Sequence, residues 1–291
     1  MRKPRVFALA FVLAITVSAA ACSDRGSNSA APTPGASGTP DATAGASPTN
    51  VARTPPTTPS LPATRPSATA TPAATLEPAP GGQLIEHGDR GSRMVALTFD
   101  MGGRVDPAID IMNWLIANDV EATIFVTGAM VENVNTNAGR EVLGIIEGHP
   151  ELFEVGNHSY THPDFRTLTP QLMADELRRT EDAIAKHSKL DSRPLFRPPL
   201  GGVDDEVVSV VAEAGYDRTI MWDIDTIDWR PESESGPTAA DMVSKVVARA
   251  AGGSIVLMHL GGFNTLDALP AVVSQLRAKG FELVKVSAML E

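Results

Sequence analysis

His158 and His162 stand four residues apart in Asn157-His158-Ser159-Tyr160-Thr161-His162-Pro163. At that spacing two imidazoles meet one metal ion. Spacing alone leaves a second reading open, two solvated loop histidines. Asp100 lies in Thr98-Phe99-Asp100-Met101-Gly102-Gly103. There a carboxylate beside a metal-bound water takes its proton, or else simply caps a turn. Arg197 opens Arg197-Pro198-Pro199-Leu200-Gly201. A guanidinium orients a carboxylate and keeps it ionised through paired hydrogen bonds; the plainer alternative is a surface arginine before a proline turn. Asp225-Thr226-Ile227-Asp228-Trp229 offers carboxylates that tune a histidine and an indole wall for a sugar ring, although ordinary packing also accounts for Trp229. His259 ends Ile255-Val256-Leu257-Met258-His259, where it reads as a general acid or as a satisfied structural histidine.

These residues need elements to position them. Apolar runs at Met94 to Phe99, Ala122 to Val126, Leu152 to Val155, Leu195 to Arg197, Thr219 to Ile224, Ser254 to Met258 and Glu282 to Val286 read as seven strands. Helical periodicity falls between them. Thr169-Pro170 caps the clearest helix, with Leu172, Met173, Leu177, Thr180, Ile184 and His187 along one side. Thr238 with Asp241 three residues on opens another. Asp106-Pro107 reads as N-cap and first residue of the first helix. Strands alternating with helices argue for a parallel α/β fold; pattern alone does not separate a barrel from an open doubly wound sheet. Asp100, His158, Arg197, Asp225 with Asp228, and His259 all fall just after strand ends, where parallel α/β folds build their sites. No glycine-rich nucleotide fingerprint follows the first strand.

The five segments, in this order, resemble the motifs of the polysaccharide deacetylase family, the NodB-homology domain of carbohydrate esterase family four. The resemblance covers about residues 94 to 287. It implies a distorted (β/α) barrel of about seven parallel strands. It further implies a metal-dependent hydrolase, with zinc as the expected divalent metal, that removes acetyl groups from N-acetylated sugars. Substrates of that class are cell-envelope or extracellular glycans such as peptidoglycan or a chitin-like polymer. By the same resemblance Asp100 matches the catalytic base, and His158 and His162 match two metal ligands. Arg197 matches the residue that positions the base, Asp228 the partner that tunes the acid, and His259 the acid. Leu200 stands where a backbone N–H helps form the oxyanion hole, and Trp229 and Leu257 match the walls around the acetyl methyl. One position departs from the pattern. The family has a second aspartate, the third metal ligand, where this chain has Met101. A thioether is soft and neutral, a poor ligand for zinc. Asp106 is the nearest carboxylate that could substitute, although its position before Pro107 favours the capping role. The missing ligand keeps a carbohydrate-binding pseudoenzyme open beside the deacetylase, and an O-acetyl esterase would use the same site.

The rest of the chain bounds where this happens. Of 291 residues, 24 are Lys or Arg and 35 Asp or Glu, a net charge of −11 that argues against nucleic-acid binding. Arg2, Lys3 and Arg5 precede an uncharged, mostly apolar run from Val6 to Ala21, which reads as a signal peptide over residues 1–21. The single cysteine, Cys22, follows three alanines and resembles a lipobox, so a secreted protein held by a lipid anchor on the outer face of a bacterial membrane is expected. One cysteine also excludes an internal disulfide framework and cysteine-cluster zinc sites. Residues 22–83 carry twelve prolines and no aromatic residue, too little apolar surface to offset chain entropy, and read as a disordered tether. The folded domain is expected over 84–291.

Overall fold

The computed structural model describes residues 81–291. The expectations for a signal peptide, for a lipidated Cys22 and for nearly all of the tether lie outside these residues. The described chain forms strands β1 (Gln83–Ile85), β2 (Met94–Met101), β3 (Ala122–Val126), β4 (Phe153–Asn157), β5 (Leu195–Phe196), β6 (Arg218–Ile220), β7 (Ile224–Asp225), β8 (Ser254–His259) and β9 (Glu282–Leu283). Helices α1 (Ala108–Ala117), α2 (Gly128–Val131), α3 (Ala138–Gly148), α4 (Pro170–His187), α5 (Asp205–Glu213), α6 (Ala239–Arg249), α7 (Thr265–Ala278) and α8 (Val286–Met289) connect or follow them. The first strand thus begins at Gln83, one residue before the boundary read from composition.

All strand pairs are parallel, in the order β1-β6-β5-β4-β3-β2-β8-β7, with β9 beside the start of β2. β6 and β7 stand near opposite ends of that order, yet only residues 221–223 join them. Three residues span roughly 10 Å, so the sheet has to curl until its ends nearly meet. Met221 N–H bonds Ile85 O at 2.8 Å and Asp223 N–H bonds Ile255 O at 3.2 Å, tying both ends to the same short connection. This is the distorted (β/α) barrel that the motifs imply.

Side chains alternate across a strand. On β2, Val95, Leu97, Phe99 and Met101 belong to the large apolar cluster that includes residues of α1, α3, α6 and α7. Ala96 belongs instead to a second cluster with Phe125, Leu195, Ile220 and Ile255, and Val286 and Met289 of α8 pack into it. Thr98 and Asp100 continue that inner face toward the carboxyl end of the strand.

Several local expectations hold in detail. Thr169 accepts from Leu172 N–H at the start of α4, and Thr238 with Asp241 forms a reciprocal capping box on α6. Others are corrected. The run 219–224 is two strands, because the chain leaves the sheet at residues 221–223 to close the barrel. The run 282–286 is the two-residue β9, and the chain then turns into α8. Leu172 is exposed, the helix's buried side being Met173, Glu176, Leu177, Thr180, Ala183 and Ile184. Asp106 does not cap α1. That helix starts at Ala108 with Pro107 in the cap position and no side-chain cap bond, while Asp106 is exposed and paired with Arg104 at 3.4 Å.

Candidate active site

Carboxyl ends of β2, β4, β5, β7 and β8 converge on a cleft of about 400 Å³. Asp100, Gly102, His158, His162, Pro198, Leu200, Trp222, Asp225, Trp229, Leu257 and His259 line it. A cleft of that size suits a small ligand or one sugar unit of a longer chain.

Its centre is a buried ion pair. Arg197 follows β5 and is fully buried. One of its terminal nitrogens donates to Asp100 Oδ1 at 2.8 Å and to Thr98 Oγ1 at 2.8 Å. The other donates to Met221 O at 3.1 Å, and Nε to Ile220 O at 3.1 Å. The guanidinium is therefore tied to β2 and to the seam of the barrel at once. Phe125 and Trp222 lie against it, 4.2 and 5.6 Å from ring centroid to guanidinium carbon. Burial by itself raises the pKa of Asp100, but the charge of Arg197 and its hydrogen bond, with His259 across the cleft, outweigh it and hold the carboxyl below its ordinary value. Asp100 is thus an ionised carboxylate whose orientation is set by Arg197.

His158 follows β4. Its Nδ1 faces the Arg197 carbonyl at 2.8 Å, and a carbonyl only accepts, so Nδ1 carries the proton. Burial pushes the imidazole down to about 4, so the ring is neutral near pH 7 and Nε2 holds a lone pair. That lone pair lies 3.4 Å from Asp100 Oδ2. Two electron-rich atoms face each other in a buried space, which favours a cation between or beside them. An imidazole fixed by a backbone carbonyl on its far nitrogen is also the usual posture of a metal-bound histidine. His162 meets His158 edge to face with centroids 4.9 Å apart, and burial lowers its pKa as well. The donor chemistry suits a divalent metal held by His158 and His162. Among the described residues, however, no group of three His, Cys, Asp or Glu side chains is arranged to hold one.

Met101 explains the gap and corrects one expectation. A strand read as Met94 to Phe99 leaves it beyond the strand end, but β2 runs through it. It is 0 % exposed and part of the helix-side cluster, because it is the last residue of β2 and alternation turns it away from Asp100. It does not line the cleft, and neither does Asp106, whose side chain is 88 % exposed.

Opposite the histidine pair, His259 ends β8. Its Nδ1 bonds Asp228 Oδ1 at 2.7 Å, which leaves Nε2 to exchange a proton with the cleft. Asp228 is fully buried; its Oδ2 also accepts from the His259 N–H at 2.8 Å and from Thr265 Oγ1 at 2.6 Å. Desolvation lowers the His259 pKa, but the hydrogen bond and charge of Asp228, with Asp100 and Asp225 behind them, raise it above the ordinary histidine value. Leu200 sits at positive φ (58°) with its side chain 71 % exposed, in a turn where Gly201 N–H bonds Pro198 O and Gly202 N–H bonds Pro199 O. Leu257 is buried in the floor of the cleft and Trp229 is half exposed at its edge, with Arg230 stacked on the indole at 4.7 Å.

Sequence reasoning missed Trp222 in the lining. A tryptophan read as the middle of one strand gives no sign that the chain leaves the sheet there. It also passed over Glu176, a buried acid on the inner side of α4, because only apolar spacing was followed on that helix.

Comparison with known proteins agrees with this fold. The polysaccharide deacetylase family profile matches residues 87–219. A carbohydrate esterase family 4 pseudoenzyme from Bacillus anthracis superposes with TM-score 0.61 at 31 % identity, over 74 % of this chain and 70 % of that one. A mutant of that pseudoenzyme with restored enzymatic activity gives TM-score 0.62 at 32 % identity, over 74 % and 72 %. Among curated proteins, the peptidoglycan-N-acetylglucosamine deacetylase PgdA of Listeria monocytogenes is 30 % identical over 67 % of this chain. The chain spans 38 % of PgdA, and 62 % of the uncharacterized Bacillus subtilis protein YlxY, to which it is 29 % identical over 75 % of its own length.

Proposed function

Because the chain belongs to the polysaccharide deacetylase family, we propose that it hydrolyses acetyl groups from an N-acetylated glycan, with peptidoglycan as the first substrate class to test. The observation that carries this is the pair of opposed proton carriers across one cleft: Asp100 ionised beside Arg197, and His259, whose proton Asp228 favours. Similarity to PgdA, a peptidoglycan deacetylase, supports the substrate class.

A divalent metal, zinc by preference, held by His158 and His162, would polarise the acetyl carbonyl and acidify a bound water. Asp100 Oδ2 is the base that takes a proton from the attacking water; its Oδ1 stays on Arg197, so the base cannot rotate away. The Leu200 N–H, in a turn whose next two N–H groups bond internally, meets the negative oxygen that forms. His259 Nε2 delivers a proton to the departing sugar nitrogen, and Asp228 holds the ring through Nδ1. Leu257 and Trp229 enclose the acetyl methyl. The leader and Cys22 belong to the same proposal, placing the site outside a bacterial membrane on a lipid anchor.

Two charged states must coexist, which fixes the pH dependence. Activity needs Asp100 ionised, so it falls as pH drops through a value below the ordinary carboxylate range. It needs His259 protonated, so it also falls as pH rises past a value above the ordinary histidine one. A bell-shaped kcat/KM profile is expected, and Asp228→Asn should move its alkaline limb to lower pH. An alkaline limb that stays in place in that variant would remove His259 as the acid.

Met101 supports a second reading. With two protein ligands, and a pseudoenzyme among its similar structures, the chain could hold a glycan without turning it over. Acetate release from peptidoglycan and from N-acetylglucosamine oligomers separates the two, the deacetylase giving chelator-sensitive release and the binding protein none.

A further inference from the structure

We infer that Glu176 is a positioning residue, the carboxylate that fixes the loop carrying His158 and His162. The inference rests on the reading of His158 and His162 as metal ligands, and extends it to a residue on a different element.

The loop from His158 to His162 is not held by local preference. Ser159 and His162 both have positive φ (65° and 63°), which non-glycine residues adopt only when their surroundings enforce it. Between them, the N–H groups of Tyr160 and Thr161 need an acceptor. Glu176, from the buried side of α4, supplies it. Its Oε2 accepts from Tyr160 N–H at 2.9 Å and from Thr161 N–H at 2.6 Å, and its Oε1 accepts from Thr161 Oγ1 at 2.8 Å. Two oxygens take three donors, which only a carboxylate does without a donor of its own. Arg179, one turn further along α4, lies 3.5 Å from Oε1 and stacks on the Tyr160 ring at 3.8 Å, so helix and loop are clamped from two sides. The flanks of the loop are fixed separately. Ser159 N–H bonds Asn157 Oδ1 at 2.8 Å, Ser159 Oγ accepts from His162 N–H at 3.0 Å, and Ser159 O accepts from Gly128 N–H at 3.1 Å. Glu176 does not line the cleft, so it acts through the backbone of the loop.

Three variants of the full chain test this, with zinc alone as the titrant and the histidine ring resonances of the zinc-free protein as the second readout. Glu176→Met fills the same volume without accepting hydrogen bonds, and should weaken zinc binding by about tenfold or more, the usual scale for groups that orient ligands. Glu176→Gln keeps an oxygen for the two N–H groups, and its amide can donate to the Thr161 hydroxyl; it should stay within about threefold of wild type. Glu176→Asp keeps the charge but is one methylene shorter. It should fold, bind zinc at least about fivefold more weakly, and move the His158 and His162 resonances while leaving His259 in place. Its result decides the matter if the methionine variant does not fold. Wild-type affinity in the methionine or aspartate variant would overturn the inference, as would a glutamine variant as weak as the methionine one. If the wild-type chain itself binds no zinc, the metal reading fails, and Glu176 is then judged by the resonances: unmoved rings in Glu176→Asp overturn it, moved rings uphold it.

Discussion

Asp100→Asn is expected to lower acetate release by about a hundredfold or more while the protein still unfolds in one cooperative transition. A positioned base contributes on that scale. Asparagine keeps an oxygen for Arg197 but cannot take a proton from water. Arg197 retains Thr98 Oγ1, Ile220 O and Met221 O, so the barrel seam stays closed. The buried guanidinium does lose its counter-charge, and a stability loss of a few kcal/mol at neutral pH is expected. Its pH dependence has a definite sign. The folded-state pKa of Asp100 is depressed, so the ion pair stabilises above the unfolded carboxylate value and is lost as pH falls through the folded one. The gap between wild type and variant should therefore shrink in acid. His259→Ala should cost a similar factor in rate and some stability as well, because the fully buried Asp228 loses the partner of its Oδ1 while keeping the His259 N–H and Thr265 Oγ1 on Oδ2. Wild-type rates in either folded variant would show that the family roles do not apply to these positions.

Met101→Asp should have the largest effect on metal binding. The side chain of Met101 is enclosed by an apolar cluster, where a carboxylate finds no hydrogen-bonding partner of the kind burial demands. The next residue, Gly102, lines the cleft; a Cβ placed there would lie 3.2 Å from the His162 ring. A carboxylate at the last rung of β2 would leave the apolar side only by turning toward a cation beside the histidines. Zinc affinity is expected to rise by at least about tenfold, or about 1.4 kcal/mol. The zinc-free variant should be less stable than wild type, and added zinc should raise its Tm by more than it raises that of wild type, because metal binds only the folded state. A variant that is destabilised and binds zinc no better would mean that alternation holds the new carboxylate on the helix side. The binding-protein reading would then gain.

Much of the site was legible because its residues are punctuation at strand ends. Asp100, His158, Arg197, Asp228 and His259 each interrupt or follow an apolar run, and all are now within one hydrogen-bonded cleft or its immediate support. The alternation that hides Met101 is equally present in Val95-Ala96-Leu97-Thr98-Phe99-Asp100-Met101, but a strand read as Met94 to Phe99 leaves Met101 beyond its end. What sequence pattern could not supply was closure. The break at residues 221–223 and the helix α8 in the inner cluster are consequences of the sheet meeting itself, a long-range condition with no local periodicity. Trp222 enters the cleft only through that break. Glu176 was unreadable for a related reason: its burial depends on a loop delivered from β4, not on its own helix.

The central claim, that this cleft turns over an N-acetylated glycan, is tested most directly by measuring acetate released from peptidoglycan by the purified full chain with saturating zinc, before and after chelation. Steady release that chelation stops and zinc restores is expected. Zinc-saturated protein that binds the glycan but releases no acetate would contradict it.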